Sequence, residues 1–232
     1  MARRKIREFD AKRLIHEHLP RFGWNSANYR GILVKPEANI EDLPNSHPWL
    51  RTEKLVVKPD QLFGKRKQYG LVLVDADFSQ VRQFLQEYRH RPFTLGKATA
   101  QLTHFLIEPF IPHEQEYYIA ITSARDHDTL HFSSQGGFNI EQRWETMKEI
   151  SVSTLATLDV HTLELHAPER FIPFIQALFA LYRALHFTYL ELNPCTMDAS
   201  GNVHLLDCVA QVDDCASFLH EKEWNALEFP RP

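Results

Sequence analysis

The apolar and polar positions change period several times along the chain. Asp10 suits an N-cap, and from Ala11 to Leu19 apolar and charged residues recur at helical spacing before Pro20, which predicts a short amphipathic helix. Gly31 to Val34, Lys54 to Val57 and Tyr69 to Val74 are brief β-rich runs, the first two followed by Pro36 and Pro59, and predict strands of a small sheet. In the segment DFSQVRQFLQEYRH, which begins at Asp77, Val81, Phe84, Leu85 and Tyr88 recur at helical spacing, so a helix packed on that sheet is expected. Phe105 to Ile107 and Tyr117 to Thr122 predict strands on either side of the proline-punctuated hinge EPFIPHEQE. A polar loop at 125–128 leads into Thr129 to Ser133, a hairpin that Gln135, Gly136 and Gly137 then interrupt. Glu169 to His186 is the clearest helix, apolar around much of its circumference and therefore buried on more than one side. Tyr189 to Leu192 and Val203 to Leu206 predict a second hairpin with its turn at 198–201, and a short helix follows Asp213. Hairpins with helices between them give an α+β class in place of a doubly wound parallel sheet.

Composition narrows the class of protein. With 232 residues, 44% hydrophobic and 24% charged, the chain excludes disorder, collagen and coiled coil and has room for one large domain or two small lobes. No apolar run approaches the ~20 residues of a membrane span, and the charged start MARRKIREFDAKR has no apolar segment behind it, so neither a membrane nor a secretory route is expected. A net charge of -4 gives no field to attract nucleic acid. Cys195, Cys208 and Cys215 are odd in number and form no CxxC pair, which argues against a disulfide framework or zinc ribbon and for a reducing cytoplasm. Neither GxxxxGK[ST] nor GxGxxG occurs, so a bound nucleotide needs another cradle.

Three constellations carry candidate chemistry. In LVVKPDQLFGKRKQYG, Lys58 ends a strand and a basic loop bounded by Gly64 and Gly70 follows, an arrangement suited to a triphosphate or simply to a solvated hairpin tip. Asn193 in LELNP and Asp207 in LLD fall near strand ends of one hairpin. Paired there, they offer hard oxygen ligands to Mg²⁺; otherwise Asn193 begins a turn and Asp207 is a satisfied acid. Between Glu108 and Glu116, the Pro109 carbonyl and the Ile111 N–H can read an adenine edge while Glu116 takes ribose hydroxyls, unless the segment is an ordinary linker. His104, His113, His131, His161 and His166 form no HExxH and no HxxxH on one helix face, and Ser133 and Ser134 lack the GxSxG context of a nucleophile.

HPWL at 47–50, LVVKPDQL at 55–62, LGKAT at 95–99, FLIEPFIPH at 105–113, HAPE at 166–169 and FTYLELNP at 187–194 occur in an order that resembles the ATP-citrate lyase family. The likeness is to its N-terminal ATP-grasp portion, related to the succinyl-CoA synthetase β subunit, and covers essentially the whole chain. It implies an ATP-grasp fold of two lobes with nucleotide between them, the smaller at roughly 20–104 and the second at roughly 105–222 with the N-terminal helix.

By the same resemblance Lys58 contacts phosphate and, with Arg66, serves catalysis, while Lys67 shares the mobile loop over the triphosphate. Glu108, Pro109 and Ile111 form the adenine hinge, Glu116 the ribose contact, and Asn193 with Asp207 the metal pair; Asp207 also counts toward ATP binding. Gln135, Gly136 and Gly137 stand where the family carries Glu-Gly-Gly, and Arg66-Lys67 stands where it usually carries Arg-Gly. The implied cofactors are ATP and Mg²⁺. The implied activity is phosphoryl supply for CoA-dependent cleavage of citrate to acetyl-CoA and oxaloacetate. The implied partner is a CoA-ligase and citrate-binding domain or subunit that carries the phosphoaccepting histidine, in a hetero-oligomer or a longer chain. A related succinyl-CoA or citryl-CoA synthetase subunit and a non-catalytic ATP-grasp assembly module are the alternatives.

Overall fold

The computed structural model describes residues 2–25, 29–137, 147–158, 167–224, 227 and 229. The regular elements run β1 (Arg3–Ile6), α1 (Glu8–His18), β2 (Ile32–Val34), α2 (Leu43–Ser46), β3 (Leu55–Pro59), β4 (Leu73–Ala76), α3 (Phe78–Tyr88), β5 (Pro92–Leu95) and β6 (Ala98–Gln101). They continue as β7 (Phe105–Pro109), β8 (Tyr117–Ser123), β9 (His127–Ser133), β10 (Lys148–Ser153), α4 (Ile172–Ala184), β11 (Phe187–Met197), β12 (Val203–Leu205), β13 (Cys208–Asp213) and α5 (Glu221–Trp224). The chain forms two compact units: Met1–Tyr29 with Pro112–Arg231, and Arg30–Ile111. Among the described residues every strand pairing is antiparallel, in keeping with the α+β reading.

In the smaller unit four strands lie in the order β2-β7-β3-β4. Side chains alternate across a strand, so Leu55 and Val57 of β3 and Phe105 and Ile107 of β7 face the core that Val81 and Leu85 of α3 complete. Lys58 and Glu108 therefore leave the sheet on its other face. The helix starts where expected because Asp77 accepts from the Gln80 N–H while the Gln80 side chain accepts from the Asp77 N–H, a reciprocal capping box. The strand expected at Tyr69 to Val74 begins only at Leu73, because residues 66–69 coil into a 3-10 turn that Gly70 closes at φ 66°. The unit also differs from the expected lobe boundary: β7 pairs with β2 and β3, so Phe105–Pro109 belongs with this sheet and the division falls after Ile111.

The larger unit holds the order β1-β13-β11-β8-β9-β10, with β12 on the far end of β11. One face, carrying Ile119, Ile121, Leu130, Phe132, Leu190, Leu192, Ala210 and Val212, packs on Leu14 and Ile15 of α1 and on the apolar residues of α4. The opposite face carries Tyr118, Ala120, His131, Tyr189, Glu191 and Asn193, set by the registers Glu191 opposite Ala120 and His131 opposite Ala120. The polar row on β11 is thus what remains after the apolar period of the same strand has been spent on the core. Helix α1 starts at Glu8 with Arg7 as N-cap, so Asp10, expected to cap it, lies buried within the first turn, where an acid favours the helix dipole.

Candidate functional site

The residues singled out in the sequence fall into two clusters, one in each unit. In the smaller, Lys58 is buried and its Nζ lies 3.5 Å from Glu108 Oε2. The register explains the contact: Lys58 is opposite Leu106, and Glu108 is its diagonal neighbour on the same face of an antiparallel pair. Pairing of β3 with the hinge continues past Pro109, where the Phe110 N–H donates to the Lys54 carbonyl at 2.7 Å. Arg66 is turned inward, its Nη1 donating to the Pro59 carbonyl at 2.8 Å, whereas Lys67 is exposed. The guanidinium thereby ties the basic loop to the end of β3. Lys65 at φ 61° and Gly70 at φ 66° bracket that turn, so two left-handed residues set the loop's path.

In the larger unit the geometry centres on Asn193, at the point where β11 changes partner from β13 to β12. Leu192 pairs with Cys208 and Cys195 with Leu205, and the intervening Asn193-Pro194, a cis peptide, faces Leu206-Asp207. Asn193 N–H donates to the Asp207 carbonyl, and the N–H groups of Leu206 and Asp207 both donate to the Pro194 carbonyl, each at 3.1 Å. The sequence-predicted pair is thus brought together by backbone. The Asn193 side chain is fixed at both ends, Oδ1 accepting from Gly137 N–H at 2.8 Å and Nδ2 donating to Glu191 Oε1 at 3.3 Å. Glu191 in turn accepts from the Tyr189 hydroxyl. Burial and the nearby carboxylate raise the pKa of Tyr189 far above the ordinary phenol range, and burial followed by the same carboxylate does so for Tyr118, so both rings stay protonated beside Glu191. Glu191 escaped the sequence reading because it looks like an outward-facing strand residue in LELNP.

Glu116 and the turn 135–137 complete this cluster. Glu116 Oε1 lies 3.2 Å from His113 Nε2, and Gly136 N–H donates to the Glu116 carbonyl at 2.8 Å. An open polar hollow of about 290 Å³ is lined by His113, Glu114, Gln115, Glu116, Gln135 and Gly136. Both glycines are required. A Cβ at Gly136 would stand 2.5 Å from the Tyr117 carbonyl oxygen, and one at Gly137, where φ is +92°, would stand 2.3 Å from Glu116 Oε2. Gly136→Ala is accordingly expected to displace the turn at a cost of roughly 1–3 kcal/mol. Thermal unfolding checks this, and a variant as stable as the parent would show that the turn yields freely.

The remaining candidates take structural positions. His104 Nδ1 bonds the Thr103 hydroxyl, His131 Nδ1 lies 3.2 Å from Glu149 Oε1, and the Ser133 hydroxyl closes the turn to Gln135; His161 and His166 lie outside the described residues. Among the described residues no three His, Cys, Asp or Glu side chains converge as a metal cluster. That arrangement still suits Mg²⁺, a hard ion that uses one or two protein oxygens and completes its shell with water and phosphate. A carboxylate at Asp207 and an amide oxygen at Asn193 with a spare lone pair fit such an ion.

The chain matches the family described as the ATP-citrate synthase ATP-grasp domain over residues 2–224. It is 40% identical over 239 residues to an ATP-citrate synthase alpha chain of Arabidopsis thaliana, covering 100% of this chain and 56% of the relative. To the ATP-citrate synthase of Homo sapiens it is 34% identical over 242 residues, covering 100% of this chain and 22% of the relative. Among solved structures, the ATP citrate lyase of Methanothrix soehngenii, in complex with citrate and coenzyme A, is 38% identical with a TM-score of 0.88 over 100% of this chain and 56% of that one. A dinucleotide-forming acetyl-coenzyme A synthetase of Ca. Korarchaeum cryptofilum, at 14% identity and a TM-score of 0.58 over 90% of this chain and 94% of that one, shares the fold. The chain thus spans about half of its plant relative and a smaller share of the human one. Matched along nearly its whole length, it belongs to the ATP-citrate synthase ATP-grasp domain family.

Proposed function

We propose that this chain is the ATP-handling part of an ATP-citrate lyase. It would bind ATP with Mg²⁺ and present the terminal phosphoryl to a histidine on a CoA-ligase domain or subunit, which then drives CoA-dependent cleavage of citrate to acetyl-CoA and oxaloacetate. Family membership supports the reading, as does the relatives' naming as ATP-citrate synthases. In the structure, the observation that carries it is the Asn193 amide, locked by Gly137 and Glu191 beside the Asp207 backbone.

In this reading Lys58 supplies a fixed ammonium for phosphate oxygens, and Arg66 and Lys67 add positive charge from the adjoining loop. Glu108, Pro109 and Ile111 read adenine, and Glu116 takes ribose hydroxyls. Asn193 and Asp207 would hold Mg²⁺, which, when bound, takes up charge on the phosphates. Little covalent work falls to the protein in phosphoryl transfer, so these groups act by placing the nucleotide and balancing its charge. Glu191 and Tyr189 keep the amide oxygen of Asn193 aimed, which spares it a rotamer search on each binding event. No helix among the described residues is long and apolar enough to cross a membrane. The free Cys195, Cys208 and Cys215 suit a reducing, cytoplasmic place.

The test is ATP affinity with and without Mg²⁺. Asp207→Asn is expected to weaken Mg²⁺-dependent binding by about 1–3 kcal/mol and metal-free binding far less, since the carboxylate acts on nucleotide through the ion. Equal losses in both would make Asp207 structural. In the same preparation, acetyl-CoA should form from citrate, CoA and ATP only when the ligase portion is present.

A further inference from the structure

Helix α1 carries a lysine that the proposed chemistry does not use. Lys12 is fully buried, its Nζ lies 2.8 Å from Glu8 Oε1, and it donates to the Leu206 carbonyl at 3.1 Å. As a stabiliser this pair is a poor choice. Two charges lose their hydration on burial, and apolar side chains of similar volume usually serve as well or better. What the ammonium provides that an apolar side chain cannot is a donor at one particular peptide group.

That group is the one that precedes Asp207. Its carbonyl, on Leu206, accepts from Lys12, and its N–H, on Asp207, donates to the Pro194 carbonyl at 3.1 Å. One peptide plane is thereby held from both edges, by α1 on one side and by the strand that carries Asn193 on the other. The orientation of this plane sets the direction in which the Asp207 side chain leaves the backbone. The Asp207 carbonyl is held as well, by the Asn193 N–H.

We propose that Lys12 is a positioning residue for Mg²⁺ binding: through the Leu206 carbonyl it fixes the peptide that aims the Asp207 carboxylate, an inference that rests on the nucleotide reading above. Glu8 holds the ammonium in place from the preceding turn of the helix. Groups of this kind, one step removed from a metal, commonly change metal affinity by about 10- to 100-fold.

The experiment compares wild type, Lys12→Met and the double variant Glu8→Leu with Lys12→Met, measuring ATP affinity with and without Mg²⁺ together with thermal unfolding. The double variant removes both buried charges and is expected to keep the fold. Its Mg²⁺ enhancement of ATP affinity should nevertheless fall about tenfold, with metal-free affinity nearly unchanged. A folded double variant with wild-type Mg²⁺ enhancement overturns the role of Lys12 and leaves the nucleotide reading intact. A wild-type protein whose ATP affinity ignores Mg²⁺ overturns the nucleotide reading itself, and the role of Lys12 with it. Should both variants fail to fold, the ¹⁵Nζ resonance of Lys12 in the wild-type protein decides. It should move between ATP alone and ATP with Mg²⁺, and a signal that stays put at saturation overturns the proposal.

Discussion

Replacing Arg183 with methionine is expected to cost about 3–5 kcal/mol, the loss typical of a buried carboxylate deprived of its cation. Arg183 Nε donates to Asp128 Oδ2 at 2.7 Å, and the Asp128 side chain is 8% exposed. The same guanidinium donates to the Val152 carbonyl at 3.2 Å, the Ser153 carbonyl at 2.9 Å and the Ala156 carbonyl. One side chain on α4 therefore ties the edge strand β10 and the end of β9 to the helix layer. After substitution, the Ser123 hydroxyl, 2.7 Å from Asp128 Oδ1 and 2.7 Å from the Tyr182 hydroxyl, cannot replace a positive charge. For a chain of this size the melting temperature should fall by roughly 10 °C. Asp128→Asn with Arg183→Met, which removes the stranded charge, should recover part of the loss. A single variant that melts within about 2 °C of the parent would mean that solvent screens Asp128 and the network is ornamental.

On the function proposed above, Lys58→Met in the assembled enzyme is expected to slow phosphoryl transfer to the ligase-domain histidine by about 10²–10³-fold, the usual scale for removing one preorganised group that stabilises developing charge. Methionine keeps most of the apolar length of this buried side chain and deletes the ammonium beside Glu108. Because β3 continues to pair with β7 through backbone groups, the fold should survive and the effect should appear in the rate of transfer from labelled ATP. A folded variant within threefold of the parent rate would remove Lys58 from the catalytic set.

How far the sequence could be read depended on whether a signal was local. The helix at 78–88 was legible because Asp77, Gln80 and the apolar period all lie within a dozen residues. Strand β7 was legible as a strand but not in its company. Residues 105–107 look like the partner of 117–122, yet they pair with 32–34 and 55–59, partners that only the folded chain supplies. The hairpin β5-β6 was missed since nearly all its residues are exposed and no apolar alternation marks it. Strand β1 reads as a basic tail; its extended state comes from pairing with β13. In the candidate site, Asn193 and Asp207 were legible as chemistry at strand ends. Glu191 and Lys12 were not, for charged residues on a strand and on an amphipathic helix look solvent-facing until tertiary packing covers them.

The placement of β1 beside β13, Arg3 opposite Asp213, has a consequence for biosynthesis. All four strands of the smaller sheet exist once Pro109 has been added, whereas the partner of β1 is complete only at Asp213. At ordinary ribosomal speeds the interval is about 5–20 seconds. Throughout it residues 3–6 lack the strand that makes them extended, on a nascent chain among neighbours on the same messenger in the same state. Arg3, Arg4 and Lys5 are the kind of charge that discourages such segments from pairing with one another, so the basic run suits a segment that waits for its partner.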